Sequence, residues 1–92
     1  MSDNSYGVTL RIVTPTGAQP DVQCDSIRLN VADEQGGGLL GIRRGHAPSL
    51  IMLERGRVTA FRGGERISDT GVGGGVATVS NNVVTVLATE IF

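Results

Sequence analysis

The chain of 92 residues contains no lysine and no tryptophan, and it has one histidine, His46, and one cysteine, Cys24. Each shortage excludes some chemistry. Without lysine there is no Schiff-base amine and no P-loop lysine to reach a nucleotide's phosphates. One His and one Cys, far apart in the chain, fall short of the three or four ligands a zinc site needs. A lone thiol cannot close an internal disulfide and fits a reducing compartment. Tyr6, Phe61 and Phe92 are the whole aromatic complement, too few for a stacking platform. There is no apolar run long enough for a membrane-spanning helix. The opening MSDNSYG is polar and has neither a basic start nor an apolar stretch, so no signal peptide is expected there. The formal net charge is −1, which argues against a nucleic-acid partner bound through its phosphates. No metal or cofactor is expected.

What is present is strand after strand. Val8 to Val13 places Val8, Leu10 and Ile12 on one face and Thr9 and Arg11 on the other. Ser26 to Val31 alternates more cleanly, with Ile27, Leu29 and Val31 opposite Ser26, Arg28 and Asn30. Such alternation marks a half-buried strand, because successive side chains point to opposite faces. Arg57 to Arg62 is a third, and Val83 to Ala88, apolar on both faces, reads as a central strand. Val76 to Val79 and Leu39 to Ile42 are shorter ones. Cys24 lies where a further strand is expected, which predicts a buried, unreactive thiol.

Turn signals separate these runs. Thr14-Pro15-Thr16-Gly17 combines a fixed φ with a residue that takes positive φ. Gly63-Gly64 and Asn81-Asn82 each suit a two-residue hairpin. No window shows helical periodicity, and short strands at this spacing indicate an all-β sandwich or barrel. The expectation is one domain over residues 1–92, with residues 1–7 as a flexible tail and a folded surface of about 5,000 Å². The glycine clusters Gly36-Gly37-Gly38 and Gly71 with Gly73-Gly74-Gly75 lack the Lys-Ser/Thr and helix of a phosphate loop. They read as a loop tip and as a bend where two sheets approach.

Residues 41–48, GIRRGHAP, hold His46 between the freedom of Gly45 and the restriction that Pro48 places on Ala47. A catalytic base would need a nucleophile and an orienting carboxylate. The sequence offers no signature for either, so no catalytic residue is assigned. The SLIML stretch, Ser49 to Leu53, is apolar, and most of Leu50 to Leu53 is expected to fill the core.

A β-rich chain that opens with LRIVTPTG, carries GIRRGHAPSL and closes with VSNNVVTVLAT resembles the epsilon subunit of rotary ATP synthases, from about Val8 to Thr89. The resemblance implies that family's amino-terminal β-sandwich of about ten strands. It also implies a non-catalytic place in the central stalk, bound to the gamma subunit and resting on the membrane c-ring, where rotation is passed between ion flow and ATP synthesis or hydrolysis. Membrane contact would then come only through the complex, at the cytoplasmic face of the inner (plasma) membrane. By position, Gly45, His46, Ala47 and Pro48 match the contact with gamma, and Gly36, Gly37, Gly38, Leu39 and Leu40 match the edge that faces the c-ring. Arg43 and Arg44 join them as contact candidates, since interfaces are enriched in arginine.

The chain departs from the family in three places. Arg43-Arg44 stand where relatives commonly have Leu-Pro or Tyr-Pro, adding positive charge. Leu39 stands where many carry an acidic residue, with Asp33 and Glu34 close by. The helical hairpin that follows the sandwich in many bacterial members would begin where this sequence stops, so neither hairpin regulation nor a nucleotide site is expected of this chain. The alternatives are a stand-alone β-sandwich binding module, which would want more aromatics, and a small metal-dependent barrel enzyme, which would want several histidines.

Overall fold

In a computed structural model, residues 6–92 of the chain are described. Two sheets face each other across one core. The first is built on β1 (Val8–Thr14), flanked by β10 (Val83–Ala88) on one side and by the short β2 (Gly17–Ala18) and β3 (Val22–Cys24) on the other. It continues through β9 (Gly75–Ser80) to β6 (Ser49–Leu53). The second sheet has the order β5 (Leu39–Arg43), β4 (Ser26–Asn30), β7 (Gly56–Arg62), β8 (Glu65–Val72). With ten strands among the described residues, the expected sandwich is the observed one. Its accessible surface is 5282 Å².

The alternating strands bury the faces that the sequence assigns to the core. Val8, Leu10 and Ile12 meet Ile27, Leu29 and Ile42 from the opposite sheet, with Val58, Val72, Val84 and Val86 filling between them. β10 is central, paired parallel to β1 and antiparallel to β9. Val84, Val86 and Ala88 face the core, while Val83, Thr85 and Leu87 lie on the outer face. Cys24 is fully buried on β3, its Sγ 3.6 Å from the carbonyl oxygen of Val8. Burial pushes its thiol pKa up to about 11.

Two features of the structure differ from the sequence reading. SLIML is a strand, and strand alternation splits it. Ile51 and Leu53 enter the core, whereas Leu50 and Met52 are 62% and 44% exposed on the outer face. The second glycine cluster includes the expected bend, since Gly73 and Gly74 carry the chain from β8 in one sheet to β9 in the other. A Cβ on Gly71 would lie in the ring of Phe92, and one on Gly75 would strike the carbonyl oxygen of Leu87 on the paired strand. Residues Asp33–Gln35 form a 3₁₀ turn that no periodicity announced. Residues 1–5 of the expected tail lie outside the described residues. Tyr6 is placed, with the guanidinium of Arg62 4.1 Å above its ring.

Candidate docking surfaces

The candidate residues do not gather at one point. β5 carries Leu39 at one end and Arg43 at the other, paired with Asn30 and Ser26 respectively. At roughly 3.3 Å of rise per residue the two loop clusters are about 13 Å apart along the strand. One cluster, Gly36 to Leu39, sits at one end of the sandwich; the other, Arg43 to Pro48, sits at the opposite end.

The Gly36–Gly38 end is built as a fastened loop. Asp33–Gln35 ends with Gly36 donating its N–H to the Asp33 carbonyl, and Val31 closes the loop onto Gly38 at 2.9 Å. All three glycines have positive φ, at 105°, 65° and 76°. An L-residue would be strained by about 1–2 kcal/mol at each such position. The loop is tied to the edge of β6. Gln35 Oε1 accepts the Met52 N–H at 2.6 Å, Glu54 Oε1 accepts that of Asp33, and Ala32 donates to the Met52 carbonyl. The consequence is a rigid tip that holds Leu39 outward, 66% exposed. Leu40 faces the other way and packs against the core.

At the other end, Arg43 to His46 forms a turn, closed by His46 N–H to the Arg43 carbonyl at 3.2 Å. Gly45 takes φ 84° at its third residue, as a type II turn demands. Its own N–H donates to Asn82 Oδ1 at 2.8 Å, which locks this loop to the β9–β10 hairpin. The Ala47 carbonyl accepts bonds from His46 Nδ1 at 2.8 Å and from the Ser49 hydroxyl at 2.9 Å. Because a carbonyl only accepts, the imidazole bond uses a proton on Nδ1 and leaves Nε2 open to a neighbour. Arg43 and Arg44, adjacent in sequence, diverge. Arg43 borders a depression on the outer face of the β5-β4-β7-β8 sheet, and the stem of Arg44 lies against Gly7 beside Asn82.

A third surface was not read from the sequence. On the outer face of the β1-containing sheet, register aligns Met52, Val76, Leu87 and Val13 across β6, β9, β10 and β1. Leu50 and Leu87 are 62% and 50% exposed. Met52, Leu50 and Leu87 are the exposed members of this face, and Val13 and Val76 are half-buried between them. The row is visible only once four strands are set in register.

Among the described residues, no three His, Cys, Asp or Glu side chains gather as a metal site. The candidate features described above are two loops and two outer sheet faces. The sandwich is shared with chains in two cryo-EM structures of mitochondrial ATP synthases. One, from Tetrahymena thermophila and showing the central stalk and c-ring, gives TM-score 0.71 at 18% identity over 92% of this chain and 65% of the other. The second, the OSCP/F1/c-ring structure from Euglena gracilis, gives 0.79 at 18% identity over 99% and 56%. Residues 7–92 match the family model described as ATP synthase, Delta/Epsilon chain, beta-sandwich domain, and the chain belongs to that family. The ATP synthase epsilon chains of Anaeromyxobacter sp. (strain K) and Myxococcus xanthus (strain DK1622) are 43% and 40% identical to it over 81 residues. That stretch is 88% of this chain and 58% and 56% of those relatives. The chain thus spans somewhat more than half their length.

Proposed function

We propose that this chain works as a non-catalytic central-stalk component of a rotary ATP synthase, bound to gamma and the c-ring, peripheral to the cytoplasmic face of the plasma membrane. The family match over residues 7–92 carries this reading. The geometry supports it in two ways. Both candidate loops are stiffened by hydrogen bonds to other strands, as a part that transmits torque needs. The partly exposed row from Met52 to Val13 gives the domain apolar area to place against a partner. In this reading the Arg44 to Pro48 turn faces gamma, and the Gly36–Leu39 tip faces the c-ring loops. The domain does no chemistry of its own, and His46, bonded to the Ala47 carbonyl, serves as a contact.

Co-expression with the gamma subunit encoded beside it, followed by gel filtration, tests the reading. A one-to-one complex is expected, weakened by His46→Ala and by Arg44→Glu while both variants remain folded. Leu39→Asp is expected to spare the gamma complex and to reduce assembly onto the c-ring. Failure of the unaltered chain to bind gamma, with both partners folded, would overturn the proposal.

A further inference from the structure

Of the eight arginines, four are paired with carboxylates: Arg11 with Asp21, Arg55 with Glu90, and Arg57 and Arg66 both with Asp69. Arg62 donates to the Gln23 carbonyl and stacks on Tyr6. Arg28, Arg43 and Arg44 are exposed and have no carboxylate in ion-pair range among the described residues. Two of these three share a face. Arg28 pairs across β4 and β5 with Gly41, and Arg43 follows two residues along β5. Both therefore project from the outer side of the same sheet as diagonal neighbours, about 7–8 Å apart at the backbone. Gly41 puts nothing between them, and a Cβ there would meet no atom within 4 Å. The result is a shallow depression of about 570 Å³ bordered by Arg28, Gly41, Arg43 and Phe61.

We propose that this depression is a carboxylate-binding notch, in which Arg28 and Arg43 together hold an acidic side chain of the polypeptide partner. The proposal rests on the stalk reading and names the chemistry by which gamma is gripped. The Arg28 guanidinium lies 4.8 Å from the centroid of the Phe61 ring. Stacking of that kind fixes the guanidinium plane and leaves its N–H edge free, the arrangement suited to a bidentate carboxylate. Asp25 also borders the depression, but its Oδ2 accepts the Gly63 N–H at 2.6 Å and bonds neither arginine. Two like charges on neighbouring strands repel each other, and a carboxylate between them relieves that repulsion. An anionic membrane surface is the weaker match. Polybasic membrane sites use clusters of about four to eight cations, and on this face Arg57 and Arg66 are already held by Asp69.

The test is a titration of gamma with the purified chain at low and moderate salt, with folding of every variant checked by circular dichroism. Arg28→Gln/Arg43→Gln is expected to weaken binding about tenfold or more and to flatten its salt dependence. Gly41→Val keeps both charges, fills the notch and is expected to weaken binding comparably. Arg57→Gln, whose charge is already paired, is expected to stay within about twofold. Wild-type affinity in the double variant overturns the proposal. So does a loss in the double variant that Gly41→Val does not share, since that would be a general field effect. Loss of binding to phosphatidylglycerol vesicles with gamma affinity unchanged would assign the arginines to a membrane and overturn it too. If the unaltered chain does not bind gamma at all, the stalk reading fails first, and no variant is needed to show it.

Discussion

The backbone N–H of Gly45 donates a 2.8 Å hydrogen bond to Oδ1 of Asn82, a residue thirty-seven positions further along the chain. Asn82 sits in the left-handed region at φ 63°, and its own carbonyl accepts the Thr9 N–H at 2.9 Å. One residue, through its side chain and its backbone carbonyl, thus joins the Arg43–His46 turn, the β9–β10 hairpin and the start of β1. The loop proposed to contact gamma is held by tertiary structure as well as by its own turn.

Substitution at this joint separates backbone from side chain. Asn82→Gly keeps the left-handed conformation and loses the bond, so a cost of about 1 kcal/mol is expected. Asn82→Ala loses both and should cost about 2–3 kcal/mol. Urea denaturation of the two variants measures the difference. Equal losses would mean that the backbone conformation contributes nothing at this site.

Gly75 is expected to be the least replaceable glycine. Its φ is 146°, and a Cβ would overlap the Leu87 carbonyl oxygen within the β9–β10 ladder. Because backbone cannot step aside as a side chain does, Gly75→Ala should cost about 3 kcal/mol or more. At Gly71 the obstruction is the Phe92 ring, which can swing away. Gly71→Ala should therefore cost little once Phe92→Ala is present, and a thermal-melt double-mutant cycle would read that non-additivity.

The Cys24 thiol should resist modification in the native state. It is buried in the core, and its pKa of about 11 keeps the reactive thiolate scarce at neutral pH. A disulfide reagent at pH 8 is expected to react at the rate of unfolding, with a large acceleration in urea. Rapid native-state labelling would show that β3 opens locally.

Acid should weaken the fold through Asp21 and Asp69. The hydrogen bond from Arg11 holds Asp21 below the usual carboxylate range, and that from Arg57 does the same for Asp69. A depressed folded-state pKa means that the stabilisation is fully present above the unfolded value, about 4. It is lost as pH falls through the lower folded value. The pH-dependence of stability between pH 5 and 2 should flatten in Asp21→Asn and in Asp69→Asn. Both pairs are solvent-exposed, so the change in each is expected to be small.

Much of the fold was legible because strand burial is a local, period-two property. Val8, Leu10 and Ile12, like Ile27 and Leu29, declare their buried face without reference to any neighbour. β8 was missed because ERISDTGV mixes charged and half-buried positions and lacks clean alternation. The 3₁₀ turn at Asp33–Gln35 was missed because it is three residues long, shorter than any helical period. The split of Leu50 and Met52 from Ile51 and Leu53 needed only the recognition that SLIML is a strand. Composition alone treats those four residues alike.

The candidate surfaces divide along the same line. Gly45 and the triple glycine at 36–38 were visible in sequence, because positive φ in a turn favours glycine and excludes most other residues. What the sequence could not show is which distant groups meet. The Asn82 latch, the Arg28–Arg43 notch over Gly41 and the apolar row from Met52 to Val13 all depend on strand register. Register is set by the packing of whole faces against the core, and a shift of one residue would turn every side chain to the opposite face. By itself the sequence determined the strands, the turns and the buried faces, since these follow from side-chain period and backbone dihedral preference. Only the tertiary structure decided which loops lie at the same end and which charges stand together, because those relations exist only between strands.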